Sequence, residues 1–349
     1  MIERMPKWLI CIPLVVQWLV LAMRYRSLTL PTVANPGITS GGLVGEGKLE
    51  YFQAMGPLAC AASAAHCSVL VLGKTAAAID ETLQNAWMAM RLSGLGFPVI
   101  VKPDLGLCGY GVRLLADTDA LRSYIAEFPA QETIVLQQWL AQENEAGIFY
   151  MRTPDAPAGC IIGLALRYFP QVTGDGRQTI AELAQAGSRT RRWLKSKQHA
   201  SLVNQARIPL LGETVRLATI GSTRVGGLYR NGKALITPQL TMAIDAIAHD
   251  MPNFHFGRFD VRFDTPQRLG LGKGFAIMEV NGAGSEAIEA WDPDTNVWTA
   301  FQTIFAKQRA LFAIGNAMRS KGFKPIGWMA LAKLNHRQNQ LIDHYPSSN

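Results

Sequence analysis

Two stretches in the last third of the chain alternate polar and apolar residues with a period of two. In residues 256–264 (FGRFDVRFD), Arg258, Asp260 and Arg262 interleave with Phe259, Val261 and Phe263. A strand there places all three charged groups on one face and the apolar residues against a core. Residues 275–286 (FAIMEVNGAGSE) repeat the device: Ala276, Met278 and Val280 face one way, Glu279 and Asn281 the other, ahead of a glycine turn at Gly282 and Gly284. Shorter apolar runs at 97–102 (FPVIVK) and 133–139 (TIVLQQW) predict two more strands. Residues 83–92 (LQNAWMAMRL) carry apolar residues at helical spacing and stop at Ser93, Gly94 and Gly96, and 301–331 reads as helical packing with a break at 322–327.

The N-terminus follows a different pattern. Residues 8–23 (WLICIPLVVQWLVLAM) are uncharged and bracketed by Lys7 and by Arg24 and Arg26. As a helix this run reaches about 24 Å at ~1.5 Å per residue, short of the roughly 30 Å hydrocarbon core, and Pro13 and Gln17 interrupt it. Arg24, Tyr25 and Arg26 stand where a signal-peptide cleavage site would need small residues. Two readings stand side by side: an interfacial membrane anchor over residues 8–26, or an apolar segment docked on protein. A Pro/Gly-rich linker follows at 31–48. Its GLVGEGK (42–48) matches the start of a P-loop, but Leu49 replaces the Ser or Thr that would ligate magnesium, and no strand feeds it.

Bulk properties narrow the field only partly. The chain's 349 residues, 48% hydrophobic and 17% charged, suffice for two packed lobes and exclude disorder. A net charge of +8 fits a nucleotide, an anionic membrane or nucleic acid, but no aromatic-basic sheet motif supports the last, so no nucleic-acid partner is expected. The five scattered cysteines and six histidines form no disulfide framework, zinc motif or HExxH pair, and there is no GxSxG elbow. A reducing cytoplasmic location follows, peripheral at the inner membrane face if the anchor reading holds.

Candidate chemistry lies in three places. Lys102 ends the 97–102 strand and opens into PDLGLCGYGV, where Gly106, Gly109 and Gly111 let the backbone present N–H groups to an anion beside the lysine. The edge at Gln138 and Trp139 can offer backbone groups to an adenine, and Glu145 a carboxylate to ribose hydroxyls. If the two alternating strands are antiparallel neighbours, Asp260, Glu279 and Asn281 converge as hard oxygen ligands for magnesium, with Arg258 beside them to offset phosphoryl charge. The bland alternatives are a flexible hairpin, a solvated acidic turn and two amphipathic strands facing water.

These motifs, in this order, resemble the ATP-grasp superfamily, specifically its carboxylate-amine ligases such as D-alanine–D-alanine ligases and, more loosely, cyanophycin synthetases. The resemblance runs from about residue 42 to 294. It implies an α+β ATP-grasp fold in which two α/β lobes clamp ATP, after an N-terminal hydrophobic segment. The implied division is 1–41 for that segment and linker, 42–139 for the small lobe with its glycine lid, and 140–349 for the large lobe with the metal site. By resemblance Lys102 binds the nucleotide phosphates, the Gly106–Gly111 turn forms the lid, Gln138 and Trp139 the adenine hinge, and Glu145 the ribose contact. Arg258 acts on the transferred phosphoryl group, Asp260, Glu279 and Asn281 hold Mg2+, and Ser285 lies on the acceptor side. Lys48 is the candidate for a second nucleotide lysine, with Lys74 after it. Residues 174–183 (GDGRQTIAEL) resemble a turn and helix of several amino-acid ligases. Arg167 replaces an expected lysine, and the basic run 189–197 has no counterpart.

The implied reaction activates a small-molecule carboxylate, amino-acid or peptide-like, as an acyl phosphate and passes it to an amine. Asp260→Asn and Glu279→Gln are expected to abolish turnover without unfolding. A phosphotransferase on the same scaffold and a non-catalytic, membrane-associated nucleotide-binding protein are the alternatives.

Overall fold

The computed structural model describes residues 5–195 and 203–348. They form two compact units, each built from three stretches of chain: one takes residues up to 63, 142–166 and 229–338, the other 64–141, 167–228 and 339 onward. The division differs from contiguous blocks at 1–41, 42–139 and 140–349, because residues up to 63 pack with the five-stranded sheet, while 167–228 and 339 onward cluster with 64–141.

In the second unit β1 (His66–Leu70), β2 (Val99–Pro103), β3 (Arg113–Leu115) and β4 (Thr133–Gln138) make an antiparallel sheet in the order β1-β4-β2-β3. Both expected strands, around 97–102 and 133–139, lie in it side by side. The helix Ala76–Leu92 begins where the Thr75 hydroxyl accepts the Ala78 N–H, and it buries Leu83, Ala86 and Met90. The helix Thr118–Glu127 is capped by Asp117 and adds Leu121, Tyr124 and Ile125 to the core around Val99 and Val101.

The chain then enters the first unit as β5 (Asn144–Met151) and β6 (Cys160–Tyr168), forms a short antiparallel pair of β7 (Gln171–Thr173) with β8 (Thr214–Arg216), and returns as β9 (Leu228–Asn231), β10 (Phe256–Phe263) and β11 (Phe275–Asn281). The five-stranded sheet runs β11-β10-β5-β6-β9. Its core joins Ile148, Tyr150, Phe259, Val261, Ile277 and Val280 to the helix Pro238–His249 through Leu240, Ile244 and Ile247. Each such side chain contributes about 1.5–3 kcal/mol on burial. The expected α+β class, with two mixed units and an N-terminal apolar helix, is the observed one.

That apolar helix spans Lys7–Tyr25 with Pro13 inside it. Gln17 does not interrupt it; its Nε2 donates to the Phe305 carbonyl at 2.9 Å and to Gln308 Oε1 at 3.0 Å, tying the helix to the long helix Val297–Ser320. The expected 301–331 helical region resolves into that helix and Trp328–His344, separated at Gly322 (φ 97°).

Candidate functional site

The two alternating stretches are antiparallel neighbours, as the convergence of their polar residues required. Arg258 pairs with Asn281, and Asp260 lies directly opposite Glu279. A bulge then lets Val261 face Ile277, leaving Met278 as the extra residue. The bulge changes which residues reach the core: Ile277 and Val280 are buried, in place of the expected Ala276, Met278 and Val280. Glu279 and Asn281 follow the bulge and keep a common face.

β10 is not half-buried. It lies between β11 and β5, and every residue in it is buried, Asp260 at 2% exposure. Charges so deep require partners. Arg258 donates to Asp260 through two parallel bonds, Nε to Oδ1 at 2.7 Å and Nη2 to Oδ2 at 3.0 Å, and Asn281 Nδ2 donates to Oδ2 at 3.2 Å. Lys48 Nζ lies 3.6 Å from Glu279. On the other flank of β10, Arg262 faces Glu145 in register at 3.4 Å, with Glu145 buried rather than presented at a turn.

Three groups in this layer escaped the sequence reading. Gly147 sits opposite Asp260, and a Cβ there would come within 2.7 Å of Ile288, 2.9 Å of the Arg258 stem and 3.1 Å of Asp260. A glycine inside an apolar strand was the signal. Lys307, on the long helix, donates to Glu289 at 2.5 Å and lies 3.1 Å from the centre of the Phe149 ring, whose other cationic neighbour is Arg258. Burial pushes the Lys307 ammonium down to about 8; Glu289 opposes this and Arg258 adds to it. Glu46 is the third. Burial lifts its carboxyl to about 7 against the pull of Lys48, with Glu50 and Glu279 raising it further, and its Oε2 is buried without a hydrogen-bond partner.

Lys48 and Glu46 arrive here through the segment that mimics a P-loop. Gly41 and Gly42, both at positive φ, accept hydrogen bonds from Ala283 and Gly284 of the turn after β11. A side chain at Gly42 or Gly282 would meet the Tyr51 hydroxyl, so both glycines are required by the close approach. The segment is thus a buttress for the carboxylate strand, entered from a 3-10 turn (Thr39–Gly42) and leading into the helix Lys48–Gln53. Ser285 closes the turn by donating to the Gly282 carbonyl at 2.6 Å.

Asp260, Glu279 and the Asn281 amide are a donor set that suits magnesium, which takes one or two carboxylates and completes its shell with water and phosphate oxygens. In the structure the balancing charges are Arg258 and Lys48. Among the described residues no group of three or more His, Cys, Asp or Glu side chains forms a metal cluster.

The second unit holds the other predicted residues. Lys102 is buried on β2 and donates to Gln137 Oε1 at 2.8 Å. Gln138 is exposed and Trp139 half-buried where β4 ends. The glycine turn carries Cys108, Gly109 and Gly111 at positive φ, whereas Gly106 is not in that region. Its carbonyls are held from outside: Tyr124 donates to Gly111 at 2.7 Å, Tyr345 to Leu105 at 2.5 Å and Ser348 to Gly109 at 2.7 Å. Lys74 donates to the Ala126 and Phe128 carbonyls at the end of the helix Thr118–Glu127. Arg167 is half-buried near the end of β6.

No protein-family model matches the chain, and no curated protein does. Among solved structures, a bifunctional glutathione synthetase from Pasteurella multocida matches at 16% identity and a TM-score of 0.35, over 69% of this chain and 33% of its own. VanG D-Ala:D-Ser ligase from Enterococcus faecalis matches at 11% identity and a TM-score of 0.41, over 75% of this chain and 61% of its own. The chain therefore spans about a third of the first and three fifths of the second. Likenesses this remote bear on neither substrate nor mechanism.

Two remaining motifs form local structure where they are described. In 174–183, Asp175 accepts the N–H groups of Arg177 and Gln178, and Thr179 and Glu182 form a capping box for the helix Ile180–Ala186. The basic run 189–197 supplies the helix Thr190–Lys195, which buries Trp193; Ser196 and Lys197 lie outside the described residues.

Proposed function

We propose that this chain is an ADP-forming carboxylate-amine ligase of the ATP-grasp type, using ATP and Mg2+. The observation that carries the reading is the register of β10 and β11: Asp260 opposite Glu279, with Asn281 and Arg258 both bonded to Asp260. Two carboxylates, an amide and a guanidinium on one sheet face match what phosphoryl transfer demands, hard oxygen donors beside a fixed cation.

In the proposed reaction a substrate carboxylate oxygen attacks the γ-phosphorus of ATP, the bond to the bridging oxygen breaks, and ADP leaves. An amine then attacks the acyl carbon, phosphate departs with the bonding pair, and the amine's proton passes to solvent. Magnesium, held by Asp260, Glu279 and Asn281, would supply charge neutralisation on the phosphates. Arg258 offsets charge on the transferred group, Lys102 acts on the nucleotide phosphates, and Asn281 orients the Asp260 carboxylate. Catalysis of this kind is positioning and electrostatics, with loss of one such charge costing on the order of 10²-fold in rate.

The test is magnesium-dependent ADP release against pooled amino acids, hydroxy acids and small peptides, followed by an oxygen-18 carboxylate of the active pool member. Label in the released phosphate is the expected result, since the acyl phosphate passes that oxygen on. ADP release with no label transferred replaces the ligase with a phosphotransferase. One observation favours a non-catalytic reading: Arg258 already engages both oxygens of Asp260. That reading gives nucleotide binding without ADP from any pool.

A further inference from the structure

The N-terminal helix has two faces of opposite character. One is bound to the body of its unit. Ile10, Leu21 and Ala22 are buried, Trp18 meets Phe312 edge to face at 4.9 Å, Gln17 is hydrogen-bonded to the long helix, and Arg319 donates to the Tyr25 carbonyl at 2.9 Å.

The opposite face carries Trp8, Leu9, Ile12, Val15, Val16, Leu19, Val20 and Met23, all exposed, from 40% at Leu9 to 71% at Met23. Their spacing is i, i+1, i+4, i+7, i+8, i+11, i+12 and i+15, one continuous stripe along a helix, about 22 Å long at ~1.5 Å per residue. Scattered exposed apolar residues are normal on a protein; a stripe of this length is a binding surface. By length and composition the helix could cross a bilayer. Its docked face argues against crossing, because lipid would have to replace the Gln17 hydrogen bonds and the packing on the long helix.

Charge identifies the occupant. From Met5 to Gly45 the chain has no Asp or Glu, and its only charged residues there are Lys7, Arg24 and Arg26. Arg24 and Arg26 are exposed at the C-terminal end of the stripe, and Trp8 stands at the other. An apolar strip with a tryptophan at one end, arginines at the other and no acidic residue is complementary to an anionic bilayer surface, apolar residues toward the acyl chains and guanidiniums at the headgroup phosphates.

We propose that this face docks the protein in the plane of an anionic membrane surface, with the helix held to the protein on one side and to lipid on the other. The proposal is independent of the ligase reading.

The test is flotation of the full chain with phosphatidylcholine vesicles, with and without about a quarter phosphatidylglycerol. Two double variants accompany it: Val16→Glu with Leu19→Glu, and Arg24→Glu with Arg26→Glu. Binding to the anionic vesicles is expected to exceed binding to neutral ones and to fall roughly tenfold or more in each variant. The substituted side chains face solvent, so the thermal unfolding transition is expected to stay in place. Equal binding to both vesicles, or undiminished flotation of the Val16/Leu19 variant, overturns the proposal. So does absence of flotation together with a concentration-dependent dimer that the same variant dissolves, which would make the stripe a contact between copies of the chain.

Discussion

The strand pair β10–β11 and the glycine turn after β2 both bear predicted nucleotide chemistry, but they are held by different means. In the strand pair, position follows from backbone register: once the strands align, Asp260 must face Glu279, and Arg258 must flank Asn281. The glycine turn has no register. Its carbonyls are pinned by side chains, the nearby Tyr124 and, far along the chain, Tyr345 and Ser348. A registered pair is as rigid as its sheet and fails only with it, whereas a pinned turn can loosen locally, as a loop that closes over a ligand must.

The contrast breaks most severely at Asp260. The bidentate bond to buried Arg258 means that Asp260→Asn leaves a guanidinium in the sheet without its counter-charge, so loss of about 3–5 kcal/mol of stability is expected along with activity. This revises the expectation that the substitution spares the fold; urea unfolding of the variant beside the parent checks it. Lys307→Met tests the same layer from the long helix. It strands Glu289, and a loss of about 3 kcal/mol is expected, recovered in part when Glu289→Leu is added.

Glu46 sharpens the comparison through pH. Its folded value of about 7 lies above the ordinary 4.5, so the folded chain holds the proton more tightly than the unfolded one. The stabilisation is full below about 4.5 and is lost as pH rises through 7. Glu46→Gln is expected to remove that slope and to exceed the parent at pH 8 by on the order of 2 kcal/mol. Thermal melts across pH 4 to 8, as a rough range, read this directly. The smallest effect belongs to the turn. Tyr345→Phe removes one hydrogen bond to Leu105 and is expected to cost about 1 kcal/mol, with faster amide exchange confined to residues 104–112 and none in β10.

The same contrast explains what could be read from sequence. Period-two alternation around 260 and 279 announced two strands and a shared polar face because side-chain direction in a strand is fixed by the backbone. The bulge at Met278 was invisible, since one extra residue leaves composition unchanged while moving Ile277 into the core. Full burial of β10 was hidden as well: alternation normally marks a strand with one wet face, and here buried ion pairs take the place of water. Glu145 and Lys48 were legible as charged residues, but their partners Arg262 and Glu279 depend on pairings across 117 and 231 positions of chain. Lys307 and Glu289 sat in segments without any motif. Their contribution comes from helix packing, which no local pattern encodes.

Glu279 provides the most direct test of the central claim, because its own side chain is partly exposed, at 33%, although its partner Lys48 is nearly buried, at 10%. ADP release by Glu279→Gln, measured beside the parent with magnesium and the active substrate pool, is predicted to fall by about 10²-fold or more while the chain stays folded, since the glutamine keeps an oxygen beside Lys48. Activity within a few fold of the parent would contradict the account.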